Sequence, residues 1–403
     1  MRSTEPRPRG RTRDTRSGGR PPREPRRGRR RRPTWTVLTL AAAVGIAACG
    51  SPAGPGDPAT TTTYLLIDNW AARAVSILSS EGGSADLAFQ ANVSLGADVT
   101  PCGMAIGPDG RVYVTDFEGG RVLVVDRDEL LDGVGTGGAR LATIGLDGLA
   151  EPCGIAFDAA GAMWVADRQG STLDASQPNW LAQFAASEVA AASGTVSLAP
   201  VRTLQLEHTT IGVTPETILP SWWISSLAFD GQGRLWFTDW WRWTVGRIDD
   251  PGSHGTGLVT DVVVDMQLTF VQGQDGQPPI QFLRNPSSLA FDGAGNVYIG
   301  MNGAPTALRY GFDALPSTGR RSNLPTATLT LPIPQGDSVF GPIGVSIDED
   351  GTLWAASNNG RLLHGVSEPA ALDGTVTPDV TTTWSDAGFT RGGSLVWTSR
   401  TTP

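Results

Sequence analysis

The stretch Ser225-Ser226-Leu227-Ala228-Phe229-Asp230-Gly231-Gln232-Gly233-Arg234-Leu235-Trp236-Phe237-Thr238-Asp239 decides the fold. Two short apolar runs, Leu227-Ala228-Phe229 and Leu235-Trp236-Phe237, flank Asp230-Gly231-Gln232-Gly233, whose glycines suit a tight turn. Short aromatic-rich runs joined in this way predict a two-stranded hairpin. A further run through Gly246-Arg247-Ile248-Asp249 adds an outer strand.

The same pattern recurs along the chain at residues 102–116, 153–167, 287–301 and 343–357. Its turn glycines are Gly110, Gly161, Gly233, Gly295 and Gly351. A weaker copy spans residues 385–399, and residues 64–78 read as the later strands of a copy that lacks its first strand. A lone hairpin cannot bury its apolar face, so units of this size must pack against neighbours. Radial closure of four-stranded units gives a β-propeller. The copies supply about 25 strands, against 24 for six such blades, so the expected fold is all-β: a single six-bladed propeller closed by N- and C-terminal strands. A parallel β-helix is the competitor, but its repeats are shorter and more regular. Long loops are expected at residues 170–220 and 250–284. Blades are numbered from the one containing Tyr64, so blade 4 carries residues 225–239.

Gly233-Arg234-Leu235-Trp236-Phe237-Thr238-Asp239, followed by Gly246-Arg247-Ile248-Asp249, resembles the repeat of streptogramin-lyase-like propellers. Over about residues 64–399 the pattern is similar also to NHL-repeat and gluconolactonase-like propellers. The resemblance implies the fold and brings no catalytic set with it. Lyase-like repeats often enter the inner strand through a Pro-His-Gly-Ile motif, whose histidine has no counterpart here. His208 and His254 fall in long loops and His364 in an outer-strand region. Gluconolactonase-like enzymes hold a divalent cation with Glu, Asn and Asp in the channel, and that set does not transfer residue by residue. Amidating-lyase propellers need several metal-binding histidines, which three cannot easily supply.

The N-terminus reads as an address. A basic stretch ending in Arg29–Arg32 precedes an apolar segment, residues 34–48, too short for a membrane span and suited to a signal peptide. It ends Ile46-Ala47-Ala48-Cys49, which resembles the lipobox of bacterial lipoproteins. That resemblance implies lipidation of Cys49, an anchor to the membrane and an extracytoplasmic place on the cell envelope, at the cytoplasmic or the outer membrane. The organisation expected is residues 1–48 as signal with an Arg-rich extension, 49–63 as a flexible tether rich in Gly, Pro, Ala and Thr, and 64–403 as propeller. All 31 basic residues are arginine, which excludes lysine-based Schiff-base and general-base chemistry. Residues 1–48 hold 14 of them and only Glu5, Asp14 and Glu24. The remainder keeps 17 basic and 37 acidic side chains, a net of −20, which argues against a nucleic-acid partner.

Cys102, Cys153, Ser225, Ser287, Ile343 and Ser385 align at the entry to the inner strand and are expected to ring the mouth of the channel. Cys102 and Cys153 are candidates for a disulfide after export; the alternative is two small buried residues at a crowded mouth. Asp68, Asp116, Asp167 and Asp239 end the second strand and are expected to cap the turn that follows. A ring of such carboxylates is the candidate for Ca²⁺ in the channel. The sharpest local feature is Trp240-Trp241-Arg242-Trp243 after Asp239, with Trp222 and Trp223 just before the same blade. These tryptophans form either a sugar-stacking or protein-binding surface or a satellite core under the loops. The expected function is a binding or scaffold module for an envelope carbohydrate or protein. The alternative is a metal-assisted lactonase, hydrolase or lyase at the channel mouth.

Overall fold

The computed structural model describes residues 60–81, 87–133, 139–167, 180–206, 224–240, 244–259, 263–265, 270–271, 280–281, 285–302, 304–311, 325–332, 342–357, 362–383 and 394–402. The chain divides into residues 1–56 and 57–403, and every described residue belongs to the second unit. Among the described residues of that unit, six sheets form blades; five run from an inner to an outer strand in chain order and the sixth has the C-terminal strand innermost, which excludes a β-helix. The inner strands are Pro101–Ile106, Pro152–Phe157, Ile224–Phe229, Pro286–Phe291, Pro342–Ile347 and Leu395–Thr402. Each touches the next and the last touches the first, so the ring closes as a six-bladed propeller.

Closure occurs in blade 1. There the C-terminal strand Leu395–Thr402 is innermost, and Thr60–Asn69, Ala74–Ser80 and Ala88–Ser94 complete the sheet. The C-terminus therefore supplies one described strand to this blade, where a hairpin over residues 385–399 was expected. Leu395 lies opposite Ile67, and the two pack against blade 6, as Met104 of blade 2 packs against blade 1. Residues 395–399 thus follow the inner-strand pattern and not that of a second strand. Ser385 lies outside the described residues. The ladder also begins earlier than Tyr64: Thr60–Thr63, read from composition as tether, pair in register with Ser399–Thr402. A run of β-branched threonines opposite a strand edge suits a ladder as well as a linker.

The long connections are not plain loops. Within residues 170–220 lie Trp180–Phe184 and Arg202–Leu206, the third and outer strands of blade 3. Between them a short helix, Ala186–Ala191, leads to Gly194–Leu198, which pairs in parallel with the outer strand of blade 2. Blade 4 lends Gly257–Val259 to blade 3 in the same way, and blade 6 lends Gly374–Thr375 to blade 5. These straps cover sheet edges that would otherwise expose a row of backbone donors and acceptors.

Blades pack through one repeated device. Asp230 accepts hydrogen bonds at Oδ1 from the N–H groups of Gln232 and Arg234, and at Oδ2 from Trp236 Nε1 at 2.7 Å. Asp158 with Trp164, Asp292 with Tyr298 and Asp348 with Trp354 repeat the arrangement at 3.0, 3.1 and 2.8 Å. The glycine three residues after each aspartate has φ between +77° and +87°, which a side chain would resist. In blade 2 Gly107 stands where the aspartate should be, because a Cβ there would lie 2.5 Å from the Tyr113 ring; Asp109 accepts from Tyr113 Oη instead. The aromatic then meets a ring of the next inner strand. Tyr113–Phe157, Trp164–Phe229, Trp236–Phe291 and Trp354–Trp397 have centroids 4.8 to 6.2 Å apart. Each such pair adds about 0.5–1.5 kcal/mol beyond area burial.

This device sets an acid limit. Burial works to raise the carboxyl of Asp230, but hydrogen bonds from Trp236, Arg234 and the turn N–H groups outweigh it and hold it below 3.8. Asp109 is lowered in the same balance by Tyr113 and Arg111. Buried His364, bonded to Thr381 Oγ1 and Pro332 O, is pushed below 6.5 by burial. All three are depressed in the fold, so the stability they confer is complete above their ordinary values and is lost as pH falls through the folded ones. Chemical denaturation should show a decline that starts below about pH 6.5 with His364. It should steepen below about pH 4 as the carboxylates protonate. His364→Gln should remove the first phase and Asp230→Asn should reduce the second.

Candidate functional site

The entry face is where the inner strands begin and where the loops from second to third strand lie. Its frame is built by the residues that end the second strand. Asp116 Oδ1 accepts from Thr100 N at 2.8 Å, just before the inner strand, and from Gly119 N at 3.2 Å in the turn; Oδ2 accepts from Arg121 Nε at 2.7 Å. Asp167 accepts from Ala150 N and Glu151 N at 3.3 and 2.8 Å. These aspartates clamp the chain entering their own blade, and Asp116 also caps the following turn as the sequence suggests. Asp239 is wholly buried at the end of its strand, opposite Ile224.

Blade 1 departs from the alignment by one residue. Its strand Thr60–Asn69 ends on Asn69, whose Oδ1 accepts from Ala72 N as Asp116 accepts from Gly119 N. Asp68 sits one place earlier and accepts from Ser394 N at 2.8 Å. The loop that corresponds to Phe117-Glu118-Gly119-Gly120 is therefore Trp70-Ala71-Ala72-Arg73. Register gives the same four-residue spacing in both, Asn69 opposite Ala74 and Asp116 opposite Arg121. Trp70, Phe117 and Trp240 hence occupy one equivalent position in blades 1, 2 and 4.

The small residues at the channel mouth are occupied in joining blades. A disulfide links Cys102 and Cys153, with Cα atoms 4.8 Å apart. Thr115 Oγ1 donates to Cys153 O at 2.7 Å, and Ser225 Oγ reaches Pro286 O at 3.4 Å. Ser288 Oγ accepts from Val345 N, and Ser394 Oγ accepts from Met104 N, at 2.9 and 3.1 Å. Inside, a cavity of about 350 Å³ is lined by all six inner strands, including Met104, Ile155, Leu227, Leu289, Val345 and Leu395. Among the described residues, its lining carries no charged side chain. Among the described residues no three His, Cys, Asp or Glu side chains come together as metal ligands.

Of the aromatic sector read from sequence, Trp240 is described and half-buried. Trp222, Trp223, Trp241, Arg242 and Trp243 lie outside the described residues, as does Cys49. The structure adds a pair that the sequence reading passed over. Trp70 and Phe117, both half-buried, meet across the joint of blades 1 and 2 with centroids 5.2 Å apart and planes at 42°. Around them Glu118 accepts from Thr100 Oγ1 at 2.8 Å and lies 3.9 Å from Arg73, while Arg121 pairs with Asp98 at 2.7 Å. The hydrogen bond from Arg121 holds the exposed Asp98 carboxyl below its ordinary value. A correct blade 1 alignment was the signal that would have found the pair.

No protein-family model and no curated protein matches the chain. Among solved structures it is similar to the nidogen/laminin complex at 17% identity and TM-score 0.47, over 83% of this chain and 98% of that one. It is also similar to a periplasmic gluconolactonase of Pseudomonas aeruginosa at 14% identity and TM-score 0.44, over 77% and 81% of the two chains. For a catalytically inactive virginiamycin B lyase of Staphylococcus aureus with quinupristin the values are 14% and 0.40, over 72% and 77%. The propeller architecture of this chain rests on its own strand pairing.

Proposed function

We propose that this is an exported, lipid-anchored propeller that acts as a binding or scaffold module at the cell envelope and engages a carbohydrate or protein through its entry face. One observation carries the reading. Aromatic side chains stand at the same entry-face loop position in three blades, whereas polar groups around the channel mouth are engaged in holding neighbouring blades together. Rings at loop tips are suited to stacking and to partner binding. The Cys102–Cys153 disulfide supports an oxidising, extracytoplasmic location, since such bonds are rare where thiols are kept reduced.

Trp240→Ala and Trp241→Ala should each abolish capture of an envelope glycan or protein while circular dichroism and thermal midpoint stay unchanged. Unaltered capture by both variants would sink this assignment of the binding face. Metabolic labelling with a fatty acid, with Cys49→Ser as comparison, tests the anchor: label that persists in the variant refutes it.

A further inference from the structure

Trp70 and Phe117 bring two rings into contact, one from each of two adjacent blades, with planes tilted by 42°. Both residues are half-buried, so packing fixes their positions while part of each meets solvent. Polar groups lie directly alongside. The side chains of Arg73 and Glu118 are 44% and 60% exposed, and both retain capacity to hydrogen-bond a ligand. Arg73 N donates to Trp70 O at 3.3 Å, so ring and guanidinium belong to one closed turn. Arg73 also has φ of 52°, at the place where blade 2 uses Gly120 with φ of 61°. A left-handed residue bearing a side chain is uncommon, and such strain gathers at ligand sites.

We infer that Trp70 and Phe117 form a stacking platform for a neutral glycan, with Glu118 and Arg73 as its hydrogen-bonding rim. The inference rests on the binding-module reading above and gives it a ligand class and a second location. A pyranose ring has an apolar face that suits an aromatic ring and a rim of hydroxyls that suits planar carboxylate and guanidinium groups. A protein hot spot would instead sit in a desolvated pocket at the centre of a broader patch. Here a small apolar area is bordered by charges of both signs, exposed Arg73 with Glu118 and half-buried Arg121 with exposed Asp98. The net charge of −20 on residues 49–403 repels polyanionic glycans and so selects neutral ones.

The test uses cellohexaose, chitohexaose and an oligogalacturonate of equal length, titrated into the full propeller by tryptophan fluorescence and calorimetry. A neutral hexasaccharide should bind, and Trp70→Ala and Glu118→Gln should each weaken it about tenfold or more. Trp70→Phe should restore most of the affinity and the oligogalacturonate should not compete; Trp240→Ala is titrated alongside. Glu118 is exposed, so its variant keeps the test valid should Trp70→Ala perturb the fold. The platform is refuted by equal binding across the variants, by preference for the oligogalacturonate, or by failure of both neutral hexasaccharides to bind. Loss of an identified protein partner in Trp70→Ala, without any glycan binding, would assign the surface to protein and overturn the glycan. Loss confined to Trp240→Ala would leave the module reading standing and remove this site.

Discussion

Gly103→Ser will destabilise the propeller on the order of 3 kcal/mol or more, although it copies the residue that blades 4 and 5 carry at the same place. Strand register aligns Gly103 and Gly154 with Ser226, Ser288, Gly344 and Ser394. In blades 5 and 1 the serine is useful, since its hydroxyl accepts an N–H from the next inner strand. At Gly103 a Cβ would lie 2.1 Å from the carbonyl oxygen of Cys153 and 3.2 Å from Thr115 Oγ1. The first is backbone of the neighbouring blade and cannot rotate away. At Gly154 the nearest contacts are 3.0 Å, to Leu227 Cγ and N, so Gly154→Ala should cost less than Gly103→Ala. Denaturant midpoints for the two alanine variants, with Ser226→Ala as a near-neutral control, check the order. Equal midpoints for all three would show that the blade 2–3 joint is not the tight one.

The repeat was legible because its signal is local. Each copy places an aspartate or glycine, a turn glycine and an aromatic at fixed offsets, and those offsets reappear as the Asp158–Trp164, Asp230–Trp236 and Asp348–Trp354 hydrogen bonds. Six blades and closure by the N-terminal strands followed from counting such units. What escaped was non-local. The straps Gly194–Leu198, Gly257–Val259 and Gly374–Thr375 are short segments with no repeat signature, and they become strands only because another blade offers an edge. The weaker copy read over residues 385–399 fails as a hairpin because the partner of Leu395–Thr402 lies at the other end of the chain. A one-residue slip at Asp68 had the larger consequence. It put Asn69 in the place of Phe117 and so hid the Trp70–Phe117 pair, which exists only across two blades. The clamping role of the aspartates needed non-local information too. Sequence shows that Asp116 and Asp167 end strands but not that the N–H groups they accept belong to the entry of the same blade.

Removing the disulfide should cost about 4 kcal/mol from loop entropy alone, for a bridge between residues 51 apart in sequence. Cys102→Ala/Cys153→Ala, or reduction before unfolding, should lower the denaturant midpoint accordingly. The effect of Gly103 makes the sharper use of this variant. The carbonyl of Cys153 lies against Gly103 while the bond holds the two strand entries at a Cα separation of 4.8 Å. Without the bond the strands can part, Thr115 Oγ1 remaining as the nearby polar tie to Cys153 O. The clash at Gly103→Ala should then be relieved, so that the triple variant loses less than the sum of its parts by about 0.5–3 kcal/mol, the range found for residues in direct contact. Strict additivity would mean that the ring geometry is set by the aromatic joints Tyr113–Phe157 and Trp164–Phe229, with the disulfide merely tolerated between strands already in place. Coupling would instead make the bond the cause of the close approach, and would explain why blades 2 and 3 have glycine at a position that blades 1, 4 and 5 give to serine.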